Sequence, residues 1–315
     1  MSTNEFNQSS HVSQAEMDKL EKSAERNAAP STLKLIWHEF VANKMALISL
    51  IILVGFILYV IIASMFMNTS QVMQTSIMNY FAKPFTPGFF LGADQSGRSI
   101  VDQLIIGSRN SIGIAIGLTV ISSTFGICYG LISGYVGGKS DLVMQRVYDF
   151  FMIIPIMMMI IVIVDIIPSY NAITLTLILS CFYWLGTERL IRSQTLSEVN
   201  KEYVLASKAS GSGPLSIIFK QIMPNIASLI IVDTTLSFAE NIGVETGLSF
   251  LGFGLPDGTP SLGTLIGNAS SADNITNYWW TWLPATIEII ILCLAISYIG
   301  QALRSSVNVI QRHNS

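Results

Sequence analysis

Charge is what this chain has least of. Asp, Glu, Lys and Arg make up 12% of its 315 residues, against roughly a quarter in soluble domains. Hydrophobic residues reach 51% and the mean hydropathy is +0.55. Long uncharged runs of this kind predict a protein that crosses a membrane several times. The net charge of −3 leaves no basic excess, so no nucleic-acid partner is expected. Histidine is nearly missing. His11, His38 and His313 all lie outside the apolar segments, so a proton relay, a metal cluster and Ser/His/Asp or Cys/His chemistry all lack their members. No enzyme activity is expected. Cys128, Cys181 and Cys293 fall in apolar segments without metal-ligand spacing and are expected as inert, buried thiols. The opening residues MSTNEFNQSSHVSQ lack the basic and apolar regions of a cleaved signal peptide. Gly137-Gly138-Lys139-Ser140 imitates the end of a phosphate-binding loop. That pattern needs Gly where Ser133 stands and a strand before it, so no cofactor is expected in this chain.

What is present is a set of apolar runs near the 20 residues that a bilayer span requires. Six are predicted: Met45–Met67, Asn110–Gly134, Val147–Ile167, Ala172–Gly186 with its flanks, Ile226–Phe250 and Leu283–Leu303. With the N-terminus inside, the inner segments hold fourteen Lys and Arg. The outer segments hold Lys83 and Arg98, with Arg109 at a boundary. This bias predicts both termini and the 193–225 loop in the cytoplasm. Trp37 marks the inner interface, and Trp279, Trp280 and Trp282 the outer one. The fold class expected is an all-α membrane protein. Its parts are a tail (1–36), a first span (37–67), an external segment (68–108) and a core (109–312) that includes the 193–225 loop. Ser13-Gln-Ala-Glu16 is a candidate capping box in the tail. Gly126, Gly130, Gly134 and Gly138, with Gly113 and Gly117, form a small-residue stripe for close helix approach, either within the chain or at a dimer seam. Pro155 should kink the third span. Asp233, Glu240 and Glu245 are costly in a bilayer and are candidates for lining a polar pathway. Asp233 and Glu245 also suit bracing roles near the two ends of their span.

The loop 193–225 is the most informative segment. Leu205, Ala206 and Ser207, a Gly stop at Gly211 and the later Met223-Pro224-Asn225 suit a short helix that presses into another protein. The segment resembles the coupling loop of the membrane subunits of binding-protein-dependent ABC importers. Three further stretches resemble the C-type permease of oligopeptide and dipeptide importers. Trp37–Leu50 is similar to the start of that family's first span. Leu91–Ser99, with Asp94, Gly97 and Arg98, resembles its external LGTDxxGRD motif. Glu245–Gly254 resembles its ExSLSFLGLG stretch. The chain departs from the family at Leu205, where Glu is usual.

The resemblance implies six spans in a type I ABC importer permease fold, in a bacterial cell membrane. It implies four partners: a homologous permease as heterodimer mate, two ATPase subunits that carry ATP and Mg, an external peptide-binding protein and the lipid bilayer. Leu205, Ala206, Ser207, Gly211 and Pro224 would couple the chain to the ATPase. The alternative is a proton-coupled secondary transporter, which the buried carboxylates would suit. Six spans and the docking loop argue against it.

Overall fold

The computed structural model describes residues 32–256 and 258–313. The candidate capping box at Ser13–Glu16 lies outside the described residues. The first helix, α1 (Thr32–Ala42), is separated from α2 (Lys44–Met65) by Asn43. The Asn43 side chain accepts a hydrogen bond from the Ala46 amide at 3.2 Å and so caps the start of the span. The expected boundary at residue 37 therefore falls inside α1. The core helices follow: α3 (Ile100–Val136), α4 (Gly138–Ile153), α5 (Ile156–Ile166), α6 (Ala172–Ser180) and α7 (Leu185–Glu198). Next come α8 (Glu202–Ala209), α9 (Pro214–Ile217), α10 (Ala227–Phe250), α11 (Leu262–Asn268) and α12 (Leu283–His313). Among the described residues the molecule is helical, with only isolated β-bridges at Thr86–Phe89 and Ala93–Ser99.

Among the described residues four helices are long and apolar enough to span a bilayer: α2, α3, α10 and α12. The pair α4–α5 makes a fifth crossing if its two bent halves count as one. The 75° bend of that pair lies at Pro155, which supplies no amide to continue the first half. The expected span Ala172–Gly186 is not one helix. It breaks at residues 181–184, where Trp184 turns its indole into a cluster with Phe125, Tyr129, Tyr148 and Phe151 and donates to the Cys181 carbonyl at 2.9 Å. The helix resumes as the polar α7. The second span also begins earlier than expected. Ser99 caps it at Ile100, so the boundary at 108/109 falls inside α3. Cys181 is exposed and Cys128 and Cys293 are half-buried, so the expectation of buried thiols fails most clearly at Cys181.

The glycine stripe positions this core. A Cβ at Gly126 would lie 2.7 Å from the Trp184 carbonyl oxygen, one at Gly130 2.7 Å from that of Glu188, and one at Gly134 2.7 Å from Thr195 Cβ. The stripe is thus an internal contact that lets α7 lie against α3 backbone to backbone. Gly117 meets the Thr176 side chain of α6, whereas Gly113 and Gly138 face open space. Along this seam the numbering of α3 and of α6–α7 rises together, so the two run parallel. The chain between them must return the length of α3, and α4–α5 makes that return. Helix α10 runs the opposite way: Asp233 accepts from Thr187 at 2.7 Å, and Asn241 donates to Thr119 at 2.8 Å. Helix α12 runs antiparallel to α10, with Gly300 against Leu236 and Cys293 near the Ala239 carbonyl.

The two ends of the bundle differ. At one end, residues 68–99 and 258–282 fold over each other. Trp280 is buried there and donates to the Ala93 carbonyl at 3.1 Å, and the Phe81 and Tyr278 rings stack with centroids 3.7 Å apart. At the other end, α8, α9 and the start of α10 lie across the ends of α3 and α7.

Candidate functional site

The loop between α7 and α10 builds a compact platform. Helix α8 carries Glu202 in its first turn and Lys208 in its last, each at the favourable end of the helix dipole. It stops in a Schellman motif. The Gly211 amide donates to the Lys208 carbonyl and the Ser212 amide to that of Ser207, both at 3.1 Å. Gly211 has φ +81° and nothing within 4 Å of a Cβ position. Within the chain it makes the left-handed turn that ends α8. Pro214 opens α9 at the position where its missing amide costs nothing. A wider turn of π type over Ile218–Ile222 and the turn Met223–Asn225, with Pro224 exposed, then lead into α10.

Val204, Ile217, Ile222 and Ile226 are buried against Leu131 of α3 and Ile191 of α7. That apolar layer seats α8 by one face. Ser207 is on the inner side, where it accepts from Gln221 at 2.5 Å, and Lys208 lies 4.9 Å above the Tyr135 ring. Leu205 and Ala206 point outward, and Leu205 is 50% exposed. Together with Leu215, Phe219 and Met223 they leave apolar side chains uncovered on the outer surface of the loop. Apolar surface gathered on one small polar element marks a contact site.

The sequence reading missed the residue that ties this platform together. Glu198, the last residue of α7, is 2% exposed. Its Oε1 accepts from Lys201 Nζ at 2.7 Å and Gln194 Nε2 at 3.3 Å. Its Oε2 accepts from the Tyr203 hydroxyl at 2.9 Å and Asn225 Nδ2 at 2.8 Å. Burial pushes its carboxyl upward, but the bonds from Lys201, Tyr203 and Asn225 outweigh it and hold the group below its ordinary value. Tyr203 is pushed up to about 12, first by burial and then by its bond to the ionised Glu198. Lys201 at i+3 was a visible signal for one of these bonds. Asn225 is 27 residues away, and only the fold brings it in.

The external motif forms a structural turn. Asp94 Oδ1 accepts the Ser96 and Arg98 amides at 2.8 and 2.9 Å, and Oδ2 accepts Gln103 Nε2 at 3.1 Å. Gly97 has φ +71°, and a Cβ there would collide with the Ser76 carbonyl. The three motif residues therefore fasten residues 76–82 over the start of α3. The carboxylates of α10 separate. Asp233 is held by Thr187, and Glu245 is fully buried, accepting from Ser249 at 2.7 Å with the Ser111 and Ser261 hydroxyls beside it. Glu240 is exposed on the surface of the described chain. Glu288 of α12, which the sequence reading did not single out, contacts the Ser108 hydroxyl of α3.

The family model described as binding-protein-dependent transport system inner membrane component matches residues 126–309, and the N-terminal TM domain of oligopeptide transport permease C matches residues 31–84. The oligopeptide transport system permease protein OppC of Lactococcus lactis subsp. cremoris is 50% identical over 87% of this chain and 93% of its own length. The OppC of Bacillus subtilis is 33% identical over 85% of this chain and 87% of its own length. The dipeptide transport system permease protein DppC of Haemophilus influenzae is 32% identical over 89% and 96%. Among solved structures, an inward-facing MetNI methionine ABC transporter shares the fold. Its TM-score is 0.51 at 16% identity, over 66% of this chain and 97% of that one. The chain belongs to the family of binding-protein-dependent transport system inner membrane components: it is a membrane-spanning permease subunit of an ABC importer and not an enzyme.

Proposed function

We propose that this permease takes up peptides delivered by an external binding protein and that α8 is the element that docks on a separate ATPase subunit. The observation that carries the reading is α8 itself: seated from below by Val204, Ile222 and Ile226, with Leu205 and Ala206 left uncovered. A short, firmly seated helix with an open apolar face transmits a push, whereas a loose one would absorb it. Peptide as substrate is supported by relatives named for oligopeptide and dipeptide transport. Two ATPase copies would hold ATP and Mg, and a homologous permease would complete the pathway. The charge bias of the loops supports a cytoplasmic loop end with both termini inside, in a bacterial cell membrane. In this arrangement α6–α7 crosses alongside α3, giving six crossings. Glu240, exposed in mid-span, is the carboxylate of α10 best placed for the pathway or the permease partner. Asp233 is bonded to Thr187, and Glu245 is buried within the chain and bonded to Ser249 through one carboxylate oxygen.

The test is copurification and uptake. Leu205→Arg should release the ATPase from membranes and abolish uptake of a labelled peptide by the reconstituted complex, while the chain still inserts. Retained ATPase and normal uptake would remove α8 from the docking site. A cysteine at Ser210 should react only from the cytoplasmic side and one at Gln95 only from outside; the reverse would overturn the orientation.

A further inference from the structure

We infer that Glu198 is a positioning residue for transport: it locks the end of α7, the start of α8 and the start of α10 into one joint through which a displacement of α8 reaches the spans. The inference rests on the reading of α8 as the docking helix. Three elements meet at this one side chain. Glu198 belongs to α7, Lys201 and Tyr203 open α8, and Asn225 stands two residues before α10. Both carboxylate oxygens are engaged, and the residue is 2% exposed. The geometry differs from that of an exposed ion pair, which holds little. Removing the acceptor here unties the Tyr203 hydroxyl and the Asn225 amide from α7, leaving them to each other, at 3.4 Å, and to water.

The joint fixes one end of α8. The other end is fixed by Ser207 against Gln221 and by Lys208 over Tyr135. With both ends held, α8 cannot roll on its apolar seat, and a push on Leu205 has to move α7 and α10 with it. Those helices carry the motion onward. Helix α7 lies directly against the α3 glycines, its backbone and Cβ atoms within about 3 Å of where their Cβ atoms would stand. Helix α10 is keyed to α7 by Asp233 and Thr187 and to α3 by Asn241 and Thr119. Packed elements of this kind shift between discrete arrangements as bodies.

The test uses the complete complex, with ATPase and binding protein, in proteoliposomes. Glu198→Gln keeps the shape but removes the charge and presents an amide to donors. The ATPase should still copurify, because Glu198 does not reach the outer face of α8. Peptide transported per ATP hydrolysed should fall about tenfold or more, as expected for losing hydrogen bonds to a buried charge. That ratio is read per assembled complex and is blind to yield. Asn225→Ala is an exposed change that cuts only the α10 arm, so it keeps the test open if Glu198→Gln folds poorly. It should lower the same ratio by a smaller factor, and Glu198→Asp should recover part of it. A wild-type ratio in Asn225→Ala, or in a well-assembled Glu198→Gln, overturns the inference. Leu205→Arg separates the two failures. If it releases the ATPase while Glu198→Gln couples normally, only the joint is wrong. If it leaves docking intact, the docking reading itself falls.

Discussion

Gly130→Ala gives the sharpest test of how the core is built. A methyl group on Gly130 would sit 2.7 Å from the Glu188 carbonyl oxygen, 2.9 Å from the Arg192 amide nitrogen and 3.1 Å from Ile191 Cβ. Two of these three neighbours are backbone atoms of α7 and cannot rotate aside. Ordinary contact begins near 3.4 Å, so α7 has to withdraw by about 0.7 Å, the difference between that limit and the closest approach. Withdrawal also unseats α7 from Gly126 and Gly134 and disturbs the Arg192–Asp141 pair, bonded at 2.8 and 2.6 Å. Overpacking of this kind costs about 1–3 kcal/mol. Gly113→Ala on the same helix is the control. It meets nothing within 4 Å and should gain up to about 1 kcal/mol from alanine's helix preference. The two variants should therefore differ by at least about 1 kcal/mol in opposite directions. The assay is the half-life of the purified complex at a fixed elevated temperature in detergent, because such proteins unfold irreversibly and a rate is the meaningful quantity. Gly130→Ala should shorten it and Gly113→Ala should not. Equal half-lives for both variants and wild type would refute the close α3–α7 seam.

At Gly211 the φ of +81° makes backbone strain the main penalty. Gly211→Val should cost about 1–2 kcal/mol and increase nicking of the 210–214 turn by protease, while Gly211→Asn should be milder; equal nicking of the two variants would contradict this. Asp94→Ala removes the acceptor of three hydrogen bonds and should loosen residues 68–99 to proteolysis by about 1.5–3 kcal/mol, leaving the span helices protected. The Glu198 joint should show two pH limits in hydrogen exchange of residues 198–226, corrected for intrinsic rates. The carboxyl is held below its ordinary value of 4.5, so its contribution is present above that value and is lost as pH falls through the lower folded value. Tyr203 is raised from 10.0 to about 12, so its contribution is present below pH 10 and is lost as pH rises through about 12. Glu198→Gln should remove the acid limit and Tyr203→Phe the alkaline one; either limit persisting in its variant would place the titration elsewhere.

Much of this protein was legible from composition and local pattern. Apolar runs located α2, α10 and α12, because a bilayer leaves no other place for twenty apolar residues. Pro155 marked the bend between α4 and α5 through its missing amide, and Gly211 marked the end of α8. The glycine stripe signalled a close helix approach, but its partner was not local information, and only the fold identified it as α7. The Ala172–Gly186 run is apolar enough to suggest a straight span. Its break at 181–184 depends on where the Trp184 ring finds its aromatic neighbours, which come from α3 and α4.

The sequence by itself determined that this chain is a polytopic helical membrane protein, because hydropathy, glycine and proline act over a few residues at a time. The tertiary structure alone decided which polar groups are satisfied. Asp233 and Glu245 look alike as carboxylates on one apolar helix, yet one is held by α7 and the other sits in a nest of hydroxyls from α3 and the capped end. Glu198 gave little sign of importance, because three of the groups that bond it are within five residues but the one that makes it a joint, Asn225, is brought there by the return of the chain. A hydrogen bond reads distance in space, and distance along the chain does not determine it.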